Sequence, residues 1–298
     1  AMLALCPGKT KSARMSDSGC RTNRREVMRG WGRTSAGEAM KDLVGEFQAR
    51  KADGRKIAAL TAYDYPTARL VDEAGADLIL VGDSLGMVVL GYPDTTQVTL
   101  ADMIRHTGAV GRGVNSALVV TDLPIDTYRT PDEAVANARQ LIAAGAQAVK
   151  LEGGAAVAPQ IRALVDAGIP VLAHIGMLPQ HIREEGGYKI KGRTAEEADA
   201  IRRDAAAVQE AGAFAVVMEI IIPGLTAEIT PTLKIPTIGI GSGEGCDGQI
   251  LVLHDMVGLY PWFKPKFAKQ RADTAGAITT AVREYVADVH SDTGMTPP

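Results

Sequence analysis

The chain has 298 residues, of which 46% are hydrophobic and 22% are charged, so it contains enough apolar side chains to form a large folded core. Its formal net charge of −3 gives no electrostatic reason to expect a nucleic acid or an anionic membrane as partner. Every apolar run is interrupted well before the roughly 20 residues that a membrane helix needs, so no membrane helix is predicted. From the charge, we expect small-molecule partners.

The first 39 residues differ from the rest, because they carry eight Lys and Arg side chains among Ser, Gly and Thr, with almost no hydrophobic periodicity. We predict that residues 1–39 form a disordered or non-native extension. One interpretation is an organelle transit peptide, which is rich in Arg and Ser. The alternative is an expression remnant or translation from an upstream start, with the native protein beginning at Met40. Asp17, Glu26 and Glu38 favour this alternative, because transit peptides are poor in acidic residues.

From Lys56 onward, a unit of a short apolar strand, a polar loop, an Ala-rich amphipathic helix and a terminal Gly recurs along the chain. The pattern predicts eight strands, at residues 57–62, 78–82, 117–121, 148–151, 171–173, 215–218, 237–239 and 250–253. Glycine marks the ends of four helices, at Gly75, Gly145, Gly168 and Gly212. Thr130 and Thr194 each precede a Glu by three residues, which predicts that two helices begin with a capping box.

A parallel sheet is predicted, because strands such as Leu78-Ile79-Leu80-Val81 are apolar on both faces. Right-handed crossovers through about 250 residues then favour closure into an α/β fold of the (β/α)8 TIM barrel type. An open, doubly wound sheet is the alternative, but no dinucleotide-binding fingerprint follows the first strand. We predict a single barrel domain at residues 40–290 and a tail at 291–298.

Ionisable side chains follow five consecutive predicted strands, and the carboxyl ends of barrel strands meet at one rim. These side chains are Asp83, Asp122, Glu152, His174 and Glu219. Several converging carboxylates require a compensating charge, since their desolvation is costly. Oxygen ligands favour Mg²⁺ or another divalent cation, so Asp83, Asp122 and Glu152 are the predicted metal ligands. The alternative is that each Asp caps the following helix.

Three further side chains are predicted to act on a substrate. Lys150 lies two residues before Glu152 on one strand face, where it could bind a substrate carboxylate, or be a core Lys whose ammonium reaches solvent. His174 could hydrogen-bond a substrate oxygen, or be a buried structural His. Glu219 ends an apolar strand, where desolvation makes a carboxylate a stronger base; it could instead be a metal ligand or an ion-pair partner.

Two glycine-rich segments have weaker signals. Residues 239–243 follow the seventh predicted strand, where TIM barrels often bind phosphate through backbone amides, but a tight turn explains them equally well. Residues 186–189 lie in a long loop after the fifth strand, which could close over the site or be an ordered connection.

From about Lys56 to Lys269, the chain resembles the ketopantoate hydroxymethyltransferase family. Eight segments carry the resemblance: Thr61-Ala62-Tyr63-Asp64-Tyr65, Val81-Gly82-Asp83-Ser84-Leu85-Gly86-Met87, Asp122-Leu123-Pro124, Val149-Lys150-Leu151-Glu152-Gly153-Gly154, His174-Ile175-Gly176, Gly187-Tyr188-Lys189, Ile238-Gly239-Ile240-Gly241 and Cys246-Asp247-Gly248-Gln249-Ile250-Leu251-Val252. The basic extension and the segment at 219–223 depart from the family pattern.

The resemblance implies a TIM barrel of the phosphoenolpyruvate/pyruvate-like superfamily and a reaction in pantothenate biosynthesis. A hydroxymethyl group would pass from 5,10-methylenetetrahydrofolate to 3-methyl-2-oxobutanoate through a metal-stabilised enolate, giving 2-dehydropantoate. The resemblance places Mg²⁺ on Asp83, Asp122 and Glu152, and the proton acceptor at Glu219. It also implies a homodecamer. Together with the strand-end argument, it gives these substrate-binding residues: Asp83, Ser84, Asp122, Lys150 and His174.

Two other functions stay open at this point. A metal-dependent 2-oxo acid lyase or mutase of the isocitrate lyase type would use a similar barrel, but the chain lacks a Lys-Lys-Cys-Gly-His loop. A non-catalytic scaffold would be expected to lose one of the site carboxylates, and all are present. Cys6, Cys20 and Cys246 are an odd number without metal-ligand spacing, so we expect neither disulfides nor zinc, and a cytoplasmic location.

Overall fold

Residues 36–291 are described by the structure, a computed structural model, with side chains described from Val44 onward. The predicted extension at 1–39 falls outside the described residues except for its last four, and the tail at 291–298 except for its first. The boundaries of the predicted barrel domain therefore stay predictions.

Eight parallel strands form a closed barrel in which neighbours follow chain order and β1 pairs with β8. This confirms the predicted (β/α)8 TIM barrel, and the predicted strand ends differ from those observed by at most three residues. The strands are β1 Ile57–Thr61, β2 Leu78–Val81, β3 Leu118–Asp122, β4 Ala148–Glu152, β5 Val171–Gly176, β6 Ala215–Glu219, β7 Thr237–Ile240 and β8 Gly248–Leu251.

The start of β8 was predicted two residues too late, at Ile250, because glycine gives no strand signal. Gly248 pairs with Ile57 of β1, and a Cβ at Gly248 would lie 2.6 Å from the carbonyl oxygen of Ile57. Glycine is therefore needed where the last strand closes the barrel against the first.

Helices surround the barrel in the described part of the chain and lie between successive strands, except between β7 and β8. They are α1 Ala36–Ala52, α2 Tyr65–Glu73, α3 Leu85–Val88, α4 Leu100–Gly111, α5 Pro131–Ala144, α6 Ala158–Asp166, α7 Ile182–Glu185, α8 Ala195–Glu210, α9 Pro223–Ile229, α10 Leu253–Val257 and α11 Thr274–His290. Short 3₁₀ turns lie at Thr95–Gln97, Ala155–Val157, Pro179–His181 and Thr230–Thr232. Over residues 36–291, no helix has both the length and the hydrophobicity that crossing a lipid bilayer requires.

The predicted helix boundaries follow the local sequence closely. All four predicted terminal glycines have positive φ, between +77° and +122°. Thr130 accepts a hydrogen bond from the backbone N–H of Glu133 at 3.2 Å, as a capping box requires. The return bond differs from the prediction, because the Glu133 carboxylate accepts from the N–H of Arg129, one residue before the cap. Thr194 begins α8 with the same arrangement.

The amino ends of the strands form the closed end of the barrel. Phe47 of α1 packs edge-on against Phe214 with ring centroids 5.8 Å apart, and both belong to the core cluster inside the barrel. Next to them, the Lys51 ammonium lies 2.7 Å from the Asp247 carboxylate. The open end of the barrel is therefore the opposite one, where the carboxyl ends of the strands lie.

The loop that leads into β3 depends on one buried carboxylate. Asp72, 7% exposed at the end of α2, accepts backbone N–H bonds from Asn115, Ser116 and Ala117 at 2.8–3.0 Å. These bonds fix the chain just before β3, the strand that carries Asp122.

We predict that Asp72→Ala lowers the free energy of unfolding by about 2–3 kcal/mol, because three N–H groups lose a charged acceptor. Urea unfolding followed by circular dichroism measures this. The control is Asp53→Ala, because Asp53 is exposed and its carboxylate pairs with Arg55. It should change the free energy of unfolding by less than about 0.5 kcal/mol. Equal losses in the two variants would contradict the prediction.

Candidate active site

All seven predicted site residues line one cavity of about 350 Å³ at the carboxyl ends of the strands. These residues are Asp83, Ser84, Asp122, Lys150, Glu152, His174 and Glu219. Except for Ser84, each is at most 9% exposed. The structure therefore brings the predicted side chains together, while the role of each stays a prediction.

The register of the parallel strands makes these side chains neighbours. Asp122 of β3 pairs with Lys150 of β4, and Glu152 of β4 pairs with His174 of β5. Lys150 and Glu152 are two residues apart and both line the cavity, as the alternation along a strand predicts. Two strand pairs thus place a cationic side chain beside a carboxylate.

Lys150 compensates part of the buried negative charge. Its Nζ lies 2.8 Å from Asp122 Oδ1 and 3.8 Å from Glu152 Oε1. Burial by itself would lower the pKa of Lys150, but the Asp122, Glu152 and Asp83 carboxylates outweigh it and raise the pKa. The Lys150 side chain is 5% exposed and its ammonium is paired with Asp122, which does not agree with the alternative of a core Lys whose ammonium reaches solvent.

His174 lies between two carboxylates. Its Nδ1 is 3.4 Å from Glu152 Oε1 and its Nε2 is 3.2 Å from Glu219 Oε2, although neither contact has good hydrogen-bond geometry. Burial by itself would lower the pKa of His174, but Glu152 and then Glu219 outweigh it and raise the pKa to about 9. The imidazole is therefore protonated near pH 7, and it connects the predicted metal site to the predicted base.

The site has more acidic than basic groups. Four buried carboxylates, those of Asp83, Asp122, Glu152 and Glu219, face two cationic side chains, which leaves two negative charges in excess when all are ionised. Burial, and then the Asp122 and Glu152 carboxylates, raise the pKa of Asp83 well above its usual range. A divalent cation would remove this imbalance.

The donor set fits a hard divalent cation, because it consists of carboxylate oxygens. Asp83 Oδ1 accepts no hydrogen bond from any described residue and faces the cavity. Among residues 44–291, however, no three His, Cys, Asp or Glu side chains are already arranged around a common point. Asp122 Oδ1 instead contacts Lys150 Nζ, so these side chains would have to adjust when an ion binds.

Ser84 is held at the cavity by Tyr63. The two hydroxyl oxygens are 2.8 Å apart, and the Tyr63 ring, 1% exposed, packs against His254 with centroids 5.3 Å apart. Gly82 makes room for this arrangement, since a Cβ there would lie 2.9 Å from Ser84 Oγ and 3.5 Å from Asp122 Oδ2. Ser84 is therefore placed beside the carboxylates.

Two residues that the sequence analysis missed also belong to the site. Gln180, in the turn after β5, donates from Nε2 to Asp83 Oδ2 at 2.8 Å, and its Oε1 accepts from the Tyr128 hydroxyl at 2.5 Å. Tyr128 is 8% exposed and Gln180 is 1% exposed. Their polar side chains lie in connecting segments without a periodic pattern, so no local pattern in the sequence points to them.

The backbone after Glu219 is strained. Ile220 has a φ of +48°, which is rare for a β-branched residue, and it lines the cavity. Its N–H donates to the Ile240 carbonyl, and its own carbonyl accepts from Lys191 N–H, each at 2.9 Å. This kink lies in the segment at 219–223 that departs from the family pattern.

The two glycine-rich segments have different surroundings. Residues 239–240 end β7, and residues 241–243 form a bend beside β6, in which Ser242 Oγ donates to the Met218 carbonyl at 2.8 Å and accepts from Ile221 N–H at 3.0 Å. This agrees with the tight-turn interpretation. Residues 186–189 lie at the mouth of the cavity, which Tyr188 lines, and burial raises the pKa of Tyr188 to about 12.

Comparison with known proteins gives one consistent family. Residues 41–293 match the family model of ketopantoate hydroxymethyltransferase. A protein of Hyperthermus butylicus named 3-methyl-2-oxobutanoate hydroxymethyltransferase is 55% identical over 252 residues, covering 84% of this chain and 87% of its own length. A protein of Acetivibrio thermocellus with the same name is 51% identical over 251 residues, covering 84% and 89%.

Solved structures of other enzymes share the fold. Phosphonopyruvate hydrolase in complex with oxalate and Mg²⁺ has a TM-score of 0.57 at 17% identity, covering 88% of this chain and 89% of that one. A 2,3-dimethylmalate lyase of the PEP mutase/isocitrate lyase superfamily has a TM-score of 0.56 at 19% identity, covering 89% and 93%. At these identities, the likenesses support the barrel fold alone.

We predict that Lys150→Met lowers the free energy of unfolding in the presence of EDTA by about 3–5 kcal/mol, because it leaves buried carboxylates without their ammonium partner. Saturating Mg²⁺ should recover more stability in this variant than in the parent chain. Urea unfolding with EDTA and with Mg²⁺ measures both effects.

Lys191→Met is the control for this prediction, since Lys191 pairs with Glu185 at a half-buried position outside the carboxylate cluster. It should cost less than about 1 kcal/mol and respond to Mg²⁺ as the parent does. If the two variants lose the same stability, the Lys150 ammonium does not compensate the cluster.

Proposed function

The chain belongs to the ketopantoate hydroxymethyltransferase family, and on this basis we propose that the cavity at the carboxyl ends of the strands is its active site. The chain is a hydroxymethyltransferase, and the family name implies a reaction in pantothenate biosynthesis. The observation that carries the proposal is the convergence of four carboxylates, Lys150 and His174 in one buried cavity.

The proposed reaction transfers a one-carbon unit from 5,10-methylenetetrahydrofolate to 3-methyl-2-oxobutanoate and gives 2-dehydropantoate. A C–H bond at C3 of the oxo acid and the two C–N bonds that join the one-carbon unit to the folate break, a C–C bond to that unit forms, and water supplies the hydroxyl oxygen, so that tetrahydrofolate leaves. The proposed site must therefore bind the oxo acid, remove a proton from C3 and hold the one-carbon donor close to that carbon.

We propose that Asp83, Asp122 and Glu152 hold a divalent cation, with Mg²⁺ as the first candidate. When bound, such an ion would polarise the keto group of the oxo acid and stabilise negative charge on its oxygen. The support for this site is its all-oxygen donor set, its excess of negative charge and the unpaired Asp83 Oδ1 described above.

The side chains around these carboxylates have distinct proposed roles. Glu219 takes the proton from C3. It lies at the end of β6, and His174 separates its carboxylate from that of Glu152. His174, which lies between Glu152 and Glu219, holds the Glu219 carboxylate in place and can donate to the substrate oxygens. Lys150 and Ser84 bind the substrate, with Asp83 and Asp122 beside them.

Proton exchange tests this function before any folate is involved. With a divalent cation, the enzyme should exchange the C3 proton of 3-methyl-2-oxobutanoate for deuterium in D₂O, which NMR detects as collapse of the methyl doublet. With EDTA the exchange should stop. Absence of exchange in a metal-loaded enzyme would contradict the proposed proton abstraction, whereas cleavage of an isocitrate-like acid would favour a lyase.

Glu219→Gln should reduce the rate of this exchange by at least about 100-fold, because an amide cannot accept the proton. Oxo acid and metal binding should stay close to those of the parent, and calorimetry measures both. Glu244→Gln, outside the cavity lining, is the control and should exchange normally. Unchanged exchange in Glu219→Gln would remove Glu219 from the role of base.

The chain is also proposed to form a homo-oligomer, with the homodecamer that the family resemblance implies. Helix α11 has no fully buried residue, and several of its large apolar side chains are between 41% and 61% exposed. These are Ile278, Val282, Tyr285, Val286 and Val289, whose spacing places them on one helix face. An apolar face of this kind is typical of a protein interface.

The cytoplasmic location stays a prediction.

Val282→Glu should lower the oligomeric mass measured by size-exclusion chromatography with light scattering, because it places a charge within the apolar face of α11. Thr280→Glu, on the opposite side of the same helix, is the control and should keep the parent mass. If neither variant changes the mass, the α11 face is not an interface on which the assembly depends.

A further inference from the structure

Gln180 connects two predicted metal ligands that come from different strands. It is 1% exposed and lies in the 3₁₀ turn Pro179–His181 after β5. Its Nε2 donates to Asp83 Oδ2 at 2.8 Å, and its backbone N–H donates to Glu152 Oε2 at 3.0 Å. One residue therefore holds one oxygen of each carboxylate.

The orientation of the Gln180 amide is fixed by its other partners. Nε2 also donates to the carbonyl oxygen of Leu123 at 3.0 Å, and Oε1 accepts from the Tyr128 hydroxyl at 2.5 Å. If the amide were flipped, its oxygen would face the Leu123 carbonyl and the Asp83 carboxylate, which are both acceptors. The NH₂ group must therefore point towards Asp83.

A neutral donor suits this position better than a cation. Lys150 and His174 already place positive charge beside Glu152, and a further cation at this position would weaken the electrostatic attraction of the site for a divalent ion. The amide of Gln180 orients Asp83 without adding charge, and it occupies only Oδ2. Asp83 Oδ1, which accepts no hydrogen bond from the described residues, stays directed to the cavity.

We propose that Gln180 is a positioning residue that fixes the orientation of Asp83 and Glu152 and thereby sets the affinity of the site for a divalent cation. The inference rests on the metal site of the proposed function and extends it to a residue outside the ligand set. Tyr128 supports Gln180 by holding its Oε1. Loss of the hydrogen-bond partner of a metal ligand typically lowers metal affinity about 10–100-fold.

The test is titration of the full-length protein with Mn²⁺ alone, in which the electron paramagnetic resonance signal of free Mn²⁺ gives the dissociation constant. Gln180→Leu should bind Mn²⁺ about 10–100-fold more weakly than the parent. At saturating Mn²⁺, deuterium exchange at C3 should return to within a few-fold of the parent rate, because the defect lies in affinity. Affinity within about twofold of the parent would overturn the inference.

A milder variant and a matched control accompany Gln180→Leu. Tyr128→Phe removes only the hydroxyl that holds Oε1, and it should weaken Mn²⁺ binding in the same direction but less. Gln147→Leu removes an amide of the same type, which accepts from the Val119 N–H at 2.9 Å near the amino end of β4. It can lower stability, but its Mn²⁺ affinity should match that of the parent.

The outcomes separate the inference from the function on which it rests. If the parent chain binds no Mn²⁺, the proposed metal site fails, and the role of Gln180 fails with it. If the parent binds Mn²⁺ and both Gln180→Leu and Tyr128→Phe bind it equally well, only the positioning role is wrong. Thermal unfolding in EDTA establishes that each variant is folded, and if Gln180→Leu is unfolded, Tyr128→Phe decides the result.

Discussion

The burial of four carboxylates in one cavity is the constraint on which the rest of the site depends. Two cationic side chains, Lys150 and His174, are buried among them, and each lies close to two carboxylates. Removing a charge from water is costly unless it is paired, so these groups are stable only as a cluster with a defined charge balance. The remaining negative charge favours a divalent cation, and this requirement connects the charge balance to the proposed enolate chemistry.

The two ends of the barrel have different roles: the amino ends of the strands are packed and closed, and the carboxyl ends carry the ionisable side chains. At the amino ends of the strands, Phe47 and Phe214 close the interior, and the Lys51–Asp247 pair lies beside them. At the carboxyl ends, strand pairing makes the ionisable groups neighbours, while Gln180 holds Asp83 and Tyr63 holds Ser84 from the loops after β5 and β1. Strand pairing therefore determines which side chains are neighbours, while residues of the loops determine how those side chains are oriented.

Local sequence predicted most of the fold, because its signals act over a few residues. Apolar runs, terminal glycines and the Thr130 cap each report a nearby backbone conformation, and the eight strands followed from them. The start of β8 was predicted incorrectly for a physical reason. Gly248 is required by its contact with Ile57 of β1, which is distant in sequence. The return bond of the predicted capping box is local, but its partner depends on how the chain enters the helix, and Glu133 therefore accepts from Arg129 rather than from Thr130.

What the sequence determined by itself is the set of strand-end acids, bases and cations, because strand polarity in a parallel barrel sends them all to one rim. Only the tertiary structure decided how they pair and what holds them. Gln180 and Asp83 are 97 residues apart, and Tyr128 and Gln180 are 52 apart, so no local pattern could reveal either contact. Periodicity specifies which face of a strand a side chain occupies, whereas hydrogen bonds between loops depend on the closed barrel that brings those loops together.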